Sequence, residues 1–239
     1  MRTLVVLPTY NEIMNVEPML RALRDVVPEC HILVVDDASP DGTAELAEKI
    51  GDDLGQIQVL RRTKKSGLGG AYRAGFAWGL ERDFDHFVEI DCDFSHDPRA
   101  LPTLLEAART HEVVIGSRYI PGGQIPQWTL SRRMLSRGGN QYASAMLGLR
   151  VADSTAGYRV YSASALEKIN FTTVTADGYG FQIEMTYRAR RALASILEVP
   201  ISFTDRELGD SKMSRAIVVE ALWLVTKWAF ERPFGRGAH

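Results

Sequence analysis

Short, continuous apolar runs alternate with helix-patterned segments through the first half of the chain, and this rhythm limits the fold more than any other feature. The runs are residues 4–7, 32–35, 57–60, 87–90 and 113–115. Helical periodicity lies between them at 16–26, 43–50, 68–80 and 99–109. Asn15 stands where the first helix needs an N-cap, and Pro18 falls in its first turn, where a missing N–H costs nothing. Strands that are apolar along their whole length have both faces covered. Alternating with helices, they predict an α/β fold with a mostly parallel central sheet and helices on both sides. Ligands of such sheets bind outside the carboxyl ends of the strands.

After Gly116 the rhythm changes. A loop containing Pro121-Gly122-Gly123 and Pro126 leads to a polar helix at 131–146, a strand at 158–161, helices at 164–169 and 181–191, and a strand at 196–203. A further loop runs to Met213. The expected organisation is one domain over 1–213 and an amphipathic helix with a tail over 214–239. The segment 216–230 is strongly apolar, but Glu220 and Lys227 interrupt it and it is shorter than the roughly 20 residues of a spanning helix. The opening run at 4–7 is too short for a signal-peptide core and reads as a first strand. A net charge of -2 gives no global basic field, which argues against a nucleic-acid partner. The two cysteines, Cys30 and Cys92, have neither zinc spacing nor the density of a disulfide scaffold, and suggest a reducing cytosol.

Polar residues gather just after the strands. The first ends in Pro8-Thr9-Tyr10-Asn11-Glu12, the second in Asp36-Asp37-Ala38-Ser39-Pro40-Asp41, the fourth in Asp91-Cys92-Asp93-Phe94-Ser95-His96. Each alone could be turn and cap chemistry; three acidic strand ends on one sheet edge point to a site. In extended backbone, residues two apart face the same side, so Asp91 and Asp93 can address one point. Such hard oxygen ligands suit Mg²⁺ or Mn²⁺ shared with a phosphate group, and a departing diphosphate needs that cation. The stretch Lys64-Lys65-Ser66-Gly67-Leu68-Gly69-Gly70 fits neither a phosphate loop nor a dinucleotide fingerprint. It is expected to let a helix begin close to a nucleotide, with the lysine pair nearby.

These motifs, with Gly116-Ser117-Arg118-Tyr119 and Ser136-Arg137-Gly138-Gly139-Asn140 following in order, resemble the dolichol- and polyprenol-phosphate mannose synthases among the family 2 inverting glycosyltransferases. The resemblance covers about residues 3–213. It implies a single nucleotide-diphospho-sugar (GT-A) domain, a GDP-mannose donor and a polyprenyl phosphate acceptor. It places Pro8, Tyr10, Glu12, Val35 and Asp37 on the nucleoside, and Asp91, Cys92 and Asp93 at the diphosphate. Asp91 and Asp93 hold the metal. Ser95 stands where many relatives carry a glutamine ligand, and a bridging water is plausible at its shorter side chain. Arg118, Arg132 and Ser136 would take the acceptor phosphate, and Arg206 and Lys212 belong to a lid over the donor. Asp91, Asp93 and Arg118 are thus the expected catalytic residues.

Charge supports the acceptor side, since Arg132 and Ser136 are four apart on one helix face and arginine donates two bonds to a phosphate. The segment 177–184 and Asp153 are open between pocket-shaping and structural roles. A phosphate acceptor is already ionised near neutral pH, so no general base is assigned. A polyprenyl acceptor implies a membrane surface, at its cytoplasmic face, and leaves room for a membrane-anchoring partner protein. On the last helix Ile217, Ala221, Leu224 and Trp228 form one stripe, which either enters the interface, helped by Trp223, Arg232 and Arg236, or packs on the body. The competing readings are transfer of glucose or another sugar on the same fold, or a non-catalytic nucleotide-sugar-binding subunit. A nucleotidyltransferase is disfavoured, because its Gly-rich, Arg-containing loop after the first strand is absent.

Overall fold

The computed structural model describes residues 1–205 and 215–231. Strand β1 (Thr3–Thr9), helix α1 (Val16–Val26), β2 (His31–Asp36), α2 (Thr43–Leu54), β3 (Ile57–Arg61), α3 (Leu68–Leu80) and β4 (His86–Glu89) build a parallel half-sheet. Then come a 3-10 turn (Pro98–Ala100), α4 (Leu101–Ala107), β5 (Val113–Ser117), α5 (Leu130–Leu147), β6 (Arg159–Ser162), α6 (Ala163–Ile169), α7 (Gly178–Arg191), β7 (Ile196–Pro200) and α8 (Arg215–Phe230). The strand order is β3-β2-β1-β4-β6-β5-β7, with β6 antiparallel to both neighbours.

Alternation along β1 divides the core. Leu4 and Val6 face one buried cluster with α3 and α5 to α8; Val5 and Leu7 face another with α1, α2 and α4. Helix α1 forms because Val16, Met19, Leu20 and Leu23 recur at helical spacing and all become buried. Asn15 stands at its start, but its amide donates to the Glu12 carboxylate at 2.8 Å and caps nothing.

Register brings one edge of the sheet together. Thr9 pairs with Asp36 and Asp36 with Arg61, so three carboxyl ends are level. Because β6 runs backwards, its first residue, Arg159, sits between Glu89 and Ile115, and the loop before it joins the same edge. The predicted strand over 196–203 ends at Pro200. Beyond it, single bridges tie Ser202 to Gln124 and Phe203 to His96.

Helix α8 packs on the body. Ala221 and Val225 are buried, Leu224 approaches Gly180, and Trp228 stacks on Tyr187 with ring centroids 6.4 Å apart. Tyr142 of α5 bonds Thr226 at 2.8 Å. The stripe of Ala221, Leu224 and Trp228 is therefore spent on the protein; Ile217's side chain, and Arg232 and Arg236, lie outside the described residues. Among the described residues no helix is long and apolar enough to cross a membrane.

Candidate active site

On the edge formed by β1, β2 and β3, Asp36 and Asp41 do local work. Asp36 accepts from Thr9 Oγ1 and from Ser39, and Asp41 accepts from Thr43 and the Ile13 amide, which closes the two turns. Asp37 reaches further. Its oxygens take Arg62 Nη1 at 2.6 Å and the Ser66 amide at 2.9 Å. Lys65 Nζ sits 4.0 Å above the Tyr10 ring, so the segment after β3 folds back over the ends of β1 and β2. Sequence reasoning missed Arg62, although it directly follows a strand end. Pro8 and Tyr10 are half-buried, and Glu12 is buried with its carboxylate on Asn15. Val35 is fully enclosed, its side chain packed toward Gly75 in the core, which leaves no surface of that residue for a nucleoside.

The start of α3 is not open to a phosphate. Asp177 Oδ1 accepts the Gly69 amide at 2.6 Å, and a Cβ on Gly67 (φ +77°) would overlap that carboxylate. A carboxylate from 108 residues away thus satisfies the helix start, where backbone N–H groups and the helix dipole favour an anion.

Asp91 and Asp93 do not lie in extended backbone. Strand β4 stops at Glu89 and the chain turns, with Phe94 at φ +59°. Both aspartates remain half-buried on the edge. Asp91 Oδ1 is 3.3 Å from the Tyr72 hydroxyl, and Asp93 Oδ1 accepts the Ser95 amide at 3.0 Å. Cys92 and Ser95 are buried within this turn. His96 Nδ1 lies 3.7 Å from Asp91 Oδ2, but burial pushes its pKa down to about 4, so it stands there as a neutral ring. Behind the turn, burial pushes the Glu89 carboxyl up to about 8 despite Arg159, and it accepts Gln182 Nε2 at 2.8 Å.

No group of three His, Cys, Asp or Glu among the described residues could hold a metal. Two carboxylates in a half-exposed turn nevertheless fit Mg²⁺ or Mn²⁺, which keep waters and phosphate oxygens as their remaining ligands. Zinc, which favours a fuller set of nitrogen and sulfur ligands, is poorly matched.

Across the edge, Arg118 follows β5 and is 6% exposed. Its Nε and Nη2 grip Asp153 at 2.7 Å each, and Nη2 also reaches Thr155 Oγ1. Burial alone would lower the guanidinium pKa; the Asp153 carboxylate outweighs it and holds the charge. Arg118 therefore does not offer its free fork to a phosphate, as the sequence suggested; Nη1 takes no part in these bonds. Asn140 of α5 accepts the amides of Ser154 and Thr155, and Arg159 binds the Ser154 and Ala156 carbonyls, so the loop bearing Asp153 is fastened twice. Tyr119 donates to Ser136 Oγ at 2.7 Å. Arg132 lies 4.0 Å over the Trp128 ring, with Arg118 5.7 Å from the same ring. Of the 177–184 segment, Glu184 is structural: it binds Arg188 and the Ala176 amide.

The two sides meet through residues 204 and 205. Thr204 bonds the Phe94 and Ser95 carbonyls, while Asp205 accepts Trp128 Nε1 and Arg132 Nη1 at 2.8 Å each. Arg206 and Lys212, expected in a lid, lie outside the described residues. A mostly parallel seven-stranded sheet with β6 running against both neighbours and helices on both faces is the architecture of a GT-A-type α/β domain.

The chain belongs to glycosyl transferase family 2, whose sequence profile matches residues 4–170. It is 54% identical over 228 residues to an undecaprenyl-phosphate mannosyltransferase of Micrococcus luteus, covering 95% of this chain and 94% of that one. It is 47% identical over 229 residues to a polyprenol monophosphomannose synthase of Mycolicibacterium smegmatis, covering 95% and 86%. A mannosyltransferase from Pyrobaculum calidifontis, solved in complex with GDP-Man and Mn²⁺, superposes with a TM-score of 0.55 at 18% identity, over 95% of this chain and 71% of that one.

Proposed function

We propose that the chain transfers mannose from GDP-mannose to a polyprenyl phosphate at the cytoplasmic face of a membrane, with inversion at the sugar. The observation that carries this reading is the join between the two sides. Thr204 is bonded to the Asp91–Ser95 turn, and its neighbour Asp205 to Arg132 and Trp128. A diphosphate at the turn and a phosphate at the arginines are thus held on a common frame. The names of the two closely related proteins support a lipid-phosphate acceptor and mannose as the sugar.

Tyr10, Glu12, Asp37 and Arg62 orient the nucleoside side. Asp91 and Asp93 would hold Mg²⁺ or Mn²⁺, with Ser95 contributing at most through water, and the ion would neutralise charge growing on the departing diphosphate. Arg118, kept in place by Asp153, and Arg132 with Ser136 hold the acceptor phosphate beside the sugar. A phosphate oxygen forms the new bond to the anomeric carbon as the carbon–diphosphate bond breaks, and GDP carries the electron pair away. The attacking oxygen is ionised at neutral pH, so no side chain has to remove a proton. Incubation with GDP-mannose, Mg²⁺ and a polyprenyl phosphate should give a mannosyl lipid of inverted anomeric configuration. Turnover with another sugar nucleotide and none with GDP-mannose would overturn the donor assignment.

A further inference from the structure

The amino-terminal half of α5 turns its apolar side chains outward. Leu130, Met134 and Leu135 are 71%, 66% and 70% exposed, although removing such side chains from water is favourable. The inward face of the helix is elsewhere, at Asn140, Ala143 and Leu147. At 3.6 residues per turn, the three exposed side chains fall on the arc opposite that face, with Ser131 and Gly138 between them. Arg133 and Arg137 border the arc on one side and Arg132 on the other. No Asp or Glu occurs from Leu130 to Leu147. Apolar side chains edged by arginines and free of acid make a helix suited to an interface, with its stems in the acyl boundary and its guanidinium groups level with lipid phosphates.

Arg133 and Arg137 also front a cavity of about 370 Å³, which Arg118, Tyr119 and Ile125 help to line and which no carboxylate among the described residues lines. We infer that this half of α5 docks on an anionic phospholipid bilayer, with Leu130, Met134 and Leu135 inserted and Arg133 and Arg137 against lipid phosphates. The inference rests on the acceptor reading above. The same helix supplies Arg132 and Ser136, so seating it at headgroup depth brings an acceptor phosphate to them while its chain stays in the bilayer. Helix α8, whose stripe is covered by the protein, does not provide this surface.

The full chain is floated with vesicles of phosphatidylcholine alone and of phosphatidylcholine mixed with phosphatidylglycerol. Binding to the mixed vesicles, weakened by salt, is expected. It should fall on the order of tenfold or more when Leu130, Met134 and Leu135 are all changed to Gln, and several-fold in Arg133→Gln/Arg137→Gln. The triple variant should keep its turnover of a short, water-soluble isoprenyl phosphate, an assay that tests the transfer reaction without a membrane. Equal flotation of the triple variant and the unmodified chain overturns the docking. So does a dimer that the triple variant dissociates while flotation is unchanged. Absence of transfer to the soluble acceptor by the unmodified chain counts against the proposed reaction, while the flotation result still judges the surface.

Discussion

On the side of the site proposed for the donor, polar groups come from the ends of adjacent parallel strands and are already occupied with one another: Asp36 with Thr9 and Ser39, Asp37 with Arg62 and Ser66. Across from it, the side proposed for the acceptor hangs on one helix whose inner face is pinned by Asn140 while its outer face carries exposed Leu130, Met134 and Leu135. The sheet edge fixes the first side by register. The second depends on a few long-range polar contacts, chiefly Arg118 with Asp153 and Arg132 with Asp205. Order on one side is thus a property of the sheet, and on the other a property of individual ion pairs.

The largest effect expected separates chemistry from framework. Asp91→Ala/Asp93→Ala, or an excess of chelator, should lower mannosyl transfer roughly 10³-fold or more, with the melting temperature of the chelated protein nearly unchanged. Both carboxylates are only half-buried and neither belongs to a strand ladder. Full transfer in either condition would remove the metal-assisted displacement.

Asp153→Asn tests the acceptor side. Removing one partner of a buried pair leaves the other charge uncompensated, at a cost of about 3–5 kcal/mol, read from urea denaturation. Loosened Arg118 should raise KM for the lipid phosphate and leave KM for GDP-mannose near its original value. Equal changes in both would mean that the two sides are not separately built. Arg118 holds the Asp153 pKa below the ordinary value of 3.8, after overcoming the burial that would raise it. The pair's contribution is therefore complete above that value and fades as pH falls below it. The stability gap between variant and unmodified chain should narrow only in that acidic range.

Gly67→Ala probes the donor side. Its positive φ and the Asp177 carboxylate beside it exclude a Cβ, and the expected cost is about 1–3 kcal/mol. Much of that cost should vanish in an Asp177→Ala background, and a double-mutant cycle measures how much. An additive cycle would show that the strain is backbone alone.

Much of this was readable in the chain. Apolar runs locate β1 to β5 within a residue or two, and the sheet-edge rule marks Asp37 and Asp91, whereas Arg118 enters only through the family resemblance and the cluster of arginines. What local pattern lacks is the identity of distant partners. Asp177 reaches Gly69 across 108 residues, Arg118 finds Asp153 across 35, and Arg62 finds Asp37 across 25. Periodicity showed that α8 has an apolar stripe, but a stripe does not state what covers it, and here it is α5 and α7. The Asp91 and Asp93 alternation assumes that the strand continues through Asp93, whereas β4 ends at Glu89 and the chain is already turning at Cys92 and Asp93.

The smallest expected effect has the opposite sign and bears most directly on the contrast between the two sides. Gly138 and Gly139 lie within α5, and a Cβ built on either meets nothing within 4 Å. Neither has positive φ, so nothing in the folded chain requires glycine there. Alanine at each should raise stability by about 0.5–1 kcal/mol, since glycine loses more backbone freedom when a helix forms. Gly67→Ala should destabilise the packed donor side while Gly138→Ala stabilises the open acceptor side, both read as shifts in urea midpoint. A loss of stability at Gly138 would mean that this face of α5 is covered in solution, and the side described as open would then be as closed as the strand ends opposite it.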